Sequence, residues 1–134
     1  MTMTLVDTNV LVYAAGVNTD KAHQTAALTA LREVHGVGAL SVQVLSEFSN
    51  VLLRSGHAVE VILHDVEALT ASWQVFSPTA PTVSRALAGV RDHRLSFWDA
   101  MIWATAVEHG ISTILSEDGP TGRSIQGVRY ASPF

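Results

Sequence analysis

Short apolar stretches alternate along the chain with longer segments in which apolar residues recur every three or four positions. The short stretches are typical of buried strands and cover residues 4–6, 37–40, 73–76, 113–115 and 128–130. The longer segments have the periodicity of amphipathic helices and cover residues 9–15, 20–35, 42–55, 57–69, 82–93 and 96–109. Strands that alternate with helices predict an α/β sandwich with a largely parallel sheet.

Capping residues and glycines mark the ends of several of these helices. Asp20 and Ser41 are predicted N-caps, and Gly36 and Gly56 are predicted stops. No linker, repeat or low-complexity segment interrupts the pattern. We therefore predict a single domain over residues 1–134.

The composition limits the kind of protein this can be. With 48% hydrophobic and 15% charged residues the chain can fill a core, and without cysteine it has neither disulfides nor thiolate metal sites. It has no apolar run of the roughly 20 residues that a membrane span needs and no basic start of a signal peptide. These features predict a cytoplasmic protein that is not in a membrane. The net charge of −4 argues against binding nucleic acid by charge alone.

Two acidic residues directly follow predicted strands, and each also has an ordinary structural explanation. Asp7 follows strand 4–6 and is a possible N-cap of the next helix. Asp118 follows strand 113–115 and is a possible Asx turn before glycine and proline. Yet the carboxyl ends of parallel strands are where open α/β sheets bind their ligands.

Two further acids lie on helices. Asp99 stands three residues after Ser96, the spacing of a capping box, but its neighbours are heavily apolar and a carboxylate without a partner is costly there. Glu47 lies in the middle of helix 42–55, which carries little other charge, so it is on a solvated face or lines a site.

A parallel sheet can bring all four acids to one rim although they are distant in sequence. Carboxylates held close together repel one another and cannot all stay ionised alone. Hard divalent cations such as Mg²⁺ or Mn²⁺ relieve this conflict and can activate water for attack on a phosphodiester. The combination therefore predicts a metal-dependent nuclease with Asp7, Glu47, Asp99 and Asp118 as catalytic and metal-binding residues.

With these residues in place, the chain resembles PIN-domain proteins, and specifically the VapC-type toxin ribonucleases. The resemblance spans the whole chain and is carried by four motifs in the family's order. They are Leu5-Val-Asp-Thr-Asn-Val-Leu-Val-Tyr-Ala14, Ser46-Glu47-Phe48, Phe97-Trp98-Asp99-Ala100 and Leu115-Ser116-Glu117-Asp118. The resemblance implies a PIN-like three-layer α/β/α sandwich and hydrolysis of RNA with Mg²⁺ or Mn²⁺.

The resemblance also implies supporting residues and partners. Asn9 and Ser116, with Thr8, match polar positions beside the acids, and Asp118 fits the family's fourth acid better than its neighbour Glu117. Family members form homodimers and are held inactive by a small VapB-like antitoxin, which makes both expected partners of this chain.

Other residues are weaker candidates for contact with the substrate. Possible phosphate contacts, or alternatively solvated surface residues, are Arg85, Arg91, Arg94 and Arg123. Trp98 and Trp103 are expected to pack in the core rather than to stack on bases, because Met101 and Ile102 lie between them. The histidines have no metal-ligand spacing and are expected mostly on the surface.

Two other functions compete with the ribonuclease interpretation. One is a non-catalytic PIN-like module that binds an antitoxin partner and DNA. The other is a phosphatase or DNA nuclease that uses the same carboxylates, although the Asp-x-Asp start of haloacid-dehalogenase phosphatases is absent, since Asn9 stands at the third position. The sequence does not indicate which RNA is cut.

Overall fold

The structure is a computed structural model that describes residues 3–134; Met1 and Thr2 of the predicted 1–134 domain lie outside the described residues. The strands are β1 (Thr4–Val6), β2 (Gly38–Ser41), β3 (Gln74–Phe76), β4 (Thr113–Leu115), β5 (Ser124–Ile125) and β6 (Val128–Ala131). The helices are α1 (Thr8–Ala14), α2 (Lys21–Val34), α3 (Val42–Arg54), α4 (Val59–Ser72), α5 (Ala80–His93) and α6 (Phe97–Glu108). The predicted α/β class is confirmed.

The sheet is mixed, with the strand order β3-β2-β1-β4-β6-β5. All pairings are parallel except the one between β5 and β6, which form an antiparallel hairpin. Strand β5 was not predicted, because it is only two residues long and ends at a turn in which Gln126 and Gly127 both have positive φ. The carboxyl ends of β1, β2, β3, β4 and β6 therefore meet at one edge of the sheet.

The order of the strands fixes the position of the main crevice. From β1 the chain moves outward to β2 and β3, then returns past β1 to form β4 on its other side. Because crossovers between parallel strands are right-handed, this reversal places α5 and α6 on the opposite face from α1–α4, which gives three layers. The reversal point lies between β1 and β4, and open sheets of this kind bind ligands outside the carboxyl ends at that point.

Most of the predicted helix ends are found where expected. The side chains of Asp20 and Ser41 cap α2 and α3 by accepting from the backbone N–H groups of His23 and Val44. Helix α4 begins and ends later than predicted, at Val59–Ser72 rather than 57–69. No helix within residues 3–134 is long and apolar enough to cross a membrane.

The core lies on both faces of the central strands. Leu5, Val6 and Ile114 of β1 and β4 are fully buried, and Trp103 of α6 is 2% exposed. Helices α5 and α6 approach closely at Gly89, where a Cβ would lie 2.8 Å from the Trp103 ring. This packing holds the start of α6, and with it Asp99, beside the ends of the strands.

Candidate active site

Asp7 directly follows the last residue of β1. Its N–H donates to the carbonyl of Leu115 at 2.9 Å, which continues the ladder between β1 and β4 by one residue. One carboxylate oxygen accepts from the N–H of Thr8 at 2.7 Å, so Asp7 is the N-cap of α1. The cap and the active-site position are therefore compatible, because the second carboxylate oxygen is engaged elsewhere.

Ser116 holds that second oxygen. Its hydroxyl donates to Asp7 Oδ2 at 2.7 Å and accepts from the N–H groups of Asp118 at 3.2 Å and Gly119 at 3.3 Å. Ser116 is fully buried, and its own N–H continues the sheet by donating to Ala131. One hydroxyl group thus ties the end of β1 to the loop after β4.

Asn9 provides a second tie between the same two segments. Its side-chain amide donates to the carboxylate of Asp118 at 3.2 Å, and its side-chain carbonyl accepts from the N–H of Glu117 at 3.2 Å. We refer to Asp7, Asn9, Ser116 and Asp118 as the strand-end wall of the site. Its members come from opposite ends of the sequence and are joined by hydrogen bonds.

The opposite side of the site is formed by α3 and α6. Glu47 of α3 accepts from the side-chain amide of Gln43 at 2.8 Å, and the same amide approaches the carbonyl of Trp98 at 3.4 Å. Asp99 lies in the first turn of α6, where its N–H donates to the hydroxyl of Ser96 at 3.3 Å. We refer to Gln43, Glu47 and Asp99 as the helix wall.

Gln43 was missed in the sequence. It lies four residues before Glu47, so the two side chains share one face of α3, and that spacing is the signal that could have identified it. Its amide links Glu47 to the start of α6.

All four acids line one cavity of about 360 Å³. The lining residues are Asp7, Thr8, Asn9, Val12, Tyr13, Asn18, Glu47, Val51, Trp98, Asp99, Ile102 and Asp118. None of these lining residues is Lys, Arg or His. Four carboxyl groups therefore share a concave space without a basic side chain in its lining.

The electrostatics reflect this crowding. Burial raises the pKa of Asp7 to about 6; the hydrogen bonds from Ser116 and Thr8 oppose the rise, and the charges of Asp99 and Glu47 add to it. Burial also raises the pKa of Tyr130 above its usual range, and the carboxylates of Asp99 and Asp7 contribute. Negative charge is thus costly at the end of β1 unless a cation offsets it.

The donor set fits a hard divalent cation. The acids present carboxylate oxygens, and the hydroxyl oxygen of Thr8 is buried without a hydrogen-bond partner beside them. Mg²⁺ and Mn²⁺ prefer such oxygen ligands. Within residues 3–134, however, no three Asp, Glu or His side chains are already close enough together to hold a metal ion. A cation would therefore have to draw the two walls together or bind partly through water.

Glu117 points away from this cavity. It lines a neighbouring pocket with Tyr13, Asp20 and His23, and hydrogen bonding to its carboxylate is the main cause that raises the pKa of Tyr13 to about 12. Of the two adjacent acids, Asp118 is the one that lies in the cavity with Asp7.

The structure does not bring the four candidate arginines to the cavity. Arg85 is exposed on α5, and Arg94 is its left-handed C-cap with φ of 56°. Arg91 pairs with Asp92 through contacts of 2.7 and 3.0 Å, and Arg123 donates to the carbonyl of His93 at 3.0 Å. A phosphate contact would thus have to lie outside the acidic cavity.

The two tryptophans of α6 have different environments. Trp103 packs in the core as predicted, and its indole N–H donates to the carbonyl of Ile125 at 3.2 Å. The prediction for Trp98 was wrong, because its side chain is 60% exposed and lines the acidic cavity. The helix is buried continuously only from Ala100 to Ala106, so the residues of its first turn project beyond the packed layer.

Comparison with known proteins gives a consistent picture. The family model of the PIN domain matches residues 4–119. Among solved structures, the chain is similar to a toxin–antitoxin complex from Klebsiella pneumoniae, with a TM-score of 0.75, 18% identity and 98% of each chain covered. It is also similar to VapC20 of Mycobacterium tuberculosis, a sarcin–ricin loop cleaving toxin, with a TM-score of 0.71, 25% identity, and 87% of this chain and 91% of that one covered.

A third similar structure is DNA-bound VapBC from Salmonella typhimurium, with a TM-score of 0.70, 17% identity and 100% of both chains covered. No curated protein sequence matches the chain significantly. The fold is therefore shared over nearly the full length, while the sequences have diverged widely.

Proposed function

Because the chain belongs to the PIN domain family, we propose that it is a metal-dependent endoribonuclease, the toxin of a toxin–antitoxin pair. The observation that carries this proposal is the convergence of four carboxyl groups on one cavity whose lining contains no basic side chain. Four carboxylates so close together repel one another, and a bound cation removes that repulsion. Bound cations are also what an anionic cavity needs in order to accept a phosphodiester.

In this proposal Asp7, Asp99, Asp118 and Glu47 hold Mg²⁺ or Mn²⁺. The bound cation supplies polarisation of the phosphodiester and activation of water. Two contacts orient Asp7 before any cation binds, one from Ser116 and one from the N–H of Thr8. Asn9 does the same for Asp118.

Glu47 acts either as a cation ligand or as the base for the attacking water, and Gln43 orients it. The water oxygen forms a bond to phosphorus while the bond from phosphorus to the 3′ oxygen breaks. One water proton passes to the base, and the departing 3′ oxygen takes up a proton. The products carry 5′-phosphate and 3′-hydroxyl ends, and no covalent enzyme intermediate forms.

The choice of RNA and of a regulatory partner is supported by the structural neighbours. VapC20 is described as a toxin that cleaves the sarcin–ricin loop, and the Klebsiella pneumoniae structure is a toxin–antitoxin complex. By this analogy the substrate is RNA, and a small VapB-like antitoxin holds the chain inactive. We also propose a homodimer and a cytoplasmic location, which the resemblance to the VapC-type toxins implies.

The test is cleavage of a mixed RNA pool by the purified, antitoxin-free protein with Mg²⁺, Mn²⁺ or EDTA. The Asp7→Asn variant removes one cavity carboxylate, and Asp92→Asn is the matched control because Asp92 is exposed and does not line the cavity. We expect cleavage that requires metal, is lost in Asp7→Asn and is retained in Asp92→Asn.

Full activity of Asp7→Asn would contradict the assignment of the site. A folded wild-type protein that cuts no class of RNA under any of these conditions would instead favour the non-catalytic binding module.

A further inference from the structure

Trp98 is a large aromatic side chain in an unusual place. Its side chain is 60% exposed, whereas Phe134, the other aromatic residue among the exposed large hydrophobic residues of the described part of the chain, is 37% exposed. Its only ring neighbour among the aromatic pairs of the described residues is Phe97, which meets it edge to face at 5.1 Å. One face of the indole is therefore available to a ligand.

The position of Trp98 relative to the acids is well defined. It directly precedes Asp99, and its carbonyl is approached by the amide of Gln43 that also holds Glu47. The Ser96 cap fixes the first turn of α6 on the other side. The backbone that carries the indole is thus connected to Glu47 through Gln43 and to Asp99 through the chain.

The charge of the cavity restricts how RNA could be held there. No Lys or Arg belongs to the lining, and the candidate arginines lie elsewhere, partly engaged with Asp92 and the His93 carbonyl. Contacts to phosphates other than the one at the metal would therefore be unfavourable inside the cavity. Bases are neutral and have flat apolar faces, so an exposed indole can bind them without this cost.

We propose that Trp98 stacks against an unpaired base next to the scissile phosphate and so positions the RNA strand over the acids. This inference rests on the proposed function and assigns it a substrate contact. Because Trp98 lines the same cavity as the acids, a substrate bound there contacts the indole, and a base beside the scissile phosphate is the neutral, flat group that can stack on it. A base that is still stacked in a duplex does not present its face to Trp98, so a continuous duplex should bind more weakly than a single strand.

The experiment measures binding and cleavage separately. Binding of a fluorescein-labelled random-sequence oligoribonucleotide is followed by anisotropy with Ca²⁺ in place of Mg²⁺, and KM and kcat are measured with Mg²⁺. The variants are Trp98→Ala and Trp98→Phe, with Leu87→Ala as the control because Leu87 is 55% exposed on α5. A series of oligonucleotides with one abasic position each is tested in parallel.

We expect Trp98→Ala to weaken binding by about tenfold or more, which is within the range of base–aromatic stacking. KM should rise more than kcat falls, Trp98→Phe should recover most of the affinity, and Leu87→Ala should bind like the wild type. One abasic position should weaken binding to the wild type but not to Trp98→Ala. This loss of sensitivity would not follow from a merely structural role.

Equal RNA affinity and KM in Trp98→Ala and wild type would overturn the proposal while the nuclease assignment stands. The same result with an altered oligomeric state would show that Trp98 covers a protein interface instead. If wild type neither binds nor cleaves RNA, the proposed function fails together with the role of Trp98.

Discussion

The strand-end wall and the helix wall of the cavity carry two acids each but are built differently. In the strand-end wall, Asp7 is 8% exposed and both of its carboxylate oxygens accept hydrogen bonds. The Ser116 hydroxyl links it to the N–H of Asp118, and Asn9 donates to the Asp118 carboxylate. In the helix wall, Glu47 is held by one amide from its own helix and Asp99 is fixed only through its backbone.

The strand-end wall is therefore preorganised, whereas the side chains of the helix wall are free to adjust. The strand-end wall is fixed by sheet geometry and presents its oxygens before any ligand arrives, at the cost of a buried carboxylate. The helix wall is less constrained, and it is where the site can adjust when a cation binds.

Asp7→Asn should produce the largest change in stability and would sharpen the comparison. The difference between a pKa of about 6 and the ordinary value of 3.8 corresponds to about 3 kcal/mol. Because the folded state holds the proton more tightly, the wild type should lose this free energy of unfolding as pH rises from about 4 to about 6. In EDTA at pH 7 we therefore expect the variant to be the more stable protein, by up to that amount.

Urea unfolding of both proteins at a series of pH values measures this difference. It should vanish below pH about 4, where Asp7 is protonated in both the folded and unfolded states. A wild type that is as stable as the variant at pH 7 would show that burial of Asp7 carries no cost.

Ser116→Ala should lower both stability and activity. It removes the donor of the buried hydrogen bond to Asp7 and leaves the half-buried N–H groups of Asp118 and Gly119 without their acceptor. We expect cleavage to fall about 10- to 100-fold and the free energy of unfolding to drop by about 1–3 kcal/mol. Ser46→Ala is the matched control, since the exposed Ser46 hydroxyl donates only to the carbonyl of Val42 in its own helix. Equal behaviour of the two variants would remove the distinction between the walls.

Asp118→Asn and Glu117→Gln form a pair that tests which acid belongs to the strand-end wall. We expect Asp118→Asn to lower cleavage strongly, because Asp118 lines the cavity as a proposed cation ligand, and Glu117→Gln to change it little. Glu117→Gln should instead lower the pKa of Tyr13 from about 12 toward 10, which an alkaline absorbance titration measures. The reverse order of activities would make Glu117 the fourth acid.

Gln43→Ala should produce the smallest of these effects. The hydrogen bond to Glu47 is half-buried, so we expect cleavage to fall about two- to fivefold and the free energy of unfolding to stay nearly unchanged. Activity assays and urea unfolding on the same preparation check both. A large loss of stability would show that the helix wall is as rigid as the strand-end wall.

The four acids could be associated from sequence because the sheet rule is general. Parallel strands end at one edge, so Asp7 and Asp118 were expected at the same edge. The pairing of β1 with β4, which only the structure shows, makes them neighbours. The N-caps at Asp20 and Ser41 could also be predicted from the sequence, since each depends only on a hydrogen bond to a residue three positions later. The catalytic roles of these residues stay predictions.

Other features depend on tertiary packing and could not be read in this way. Trp98 has the same apolar neighbours as Trp103, but only the packed length of α6 decides which of them is buried. Strand β5 exists because β6 offers it a partner, and its own two residues carry no strand signal. The positions of the candidate arginines also depend on packing, because Arg91 and Arg123 have their partners outside the cavity; their contacts with phosphate stay predictions.

The strand order has a consequence for the way the protein is made. Asp7 leaves the ribosome well before its partner Ser116, which is 109 residues later, and β4, which pairs with β1, is also synthesised late. Because the centre of the sheet waits for this long-range pairing, local helices form earlier than the site. A nascent chain therefore has no assembled strand-end wall until Ser116 and Asp118, which follow β4, have been synthesised.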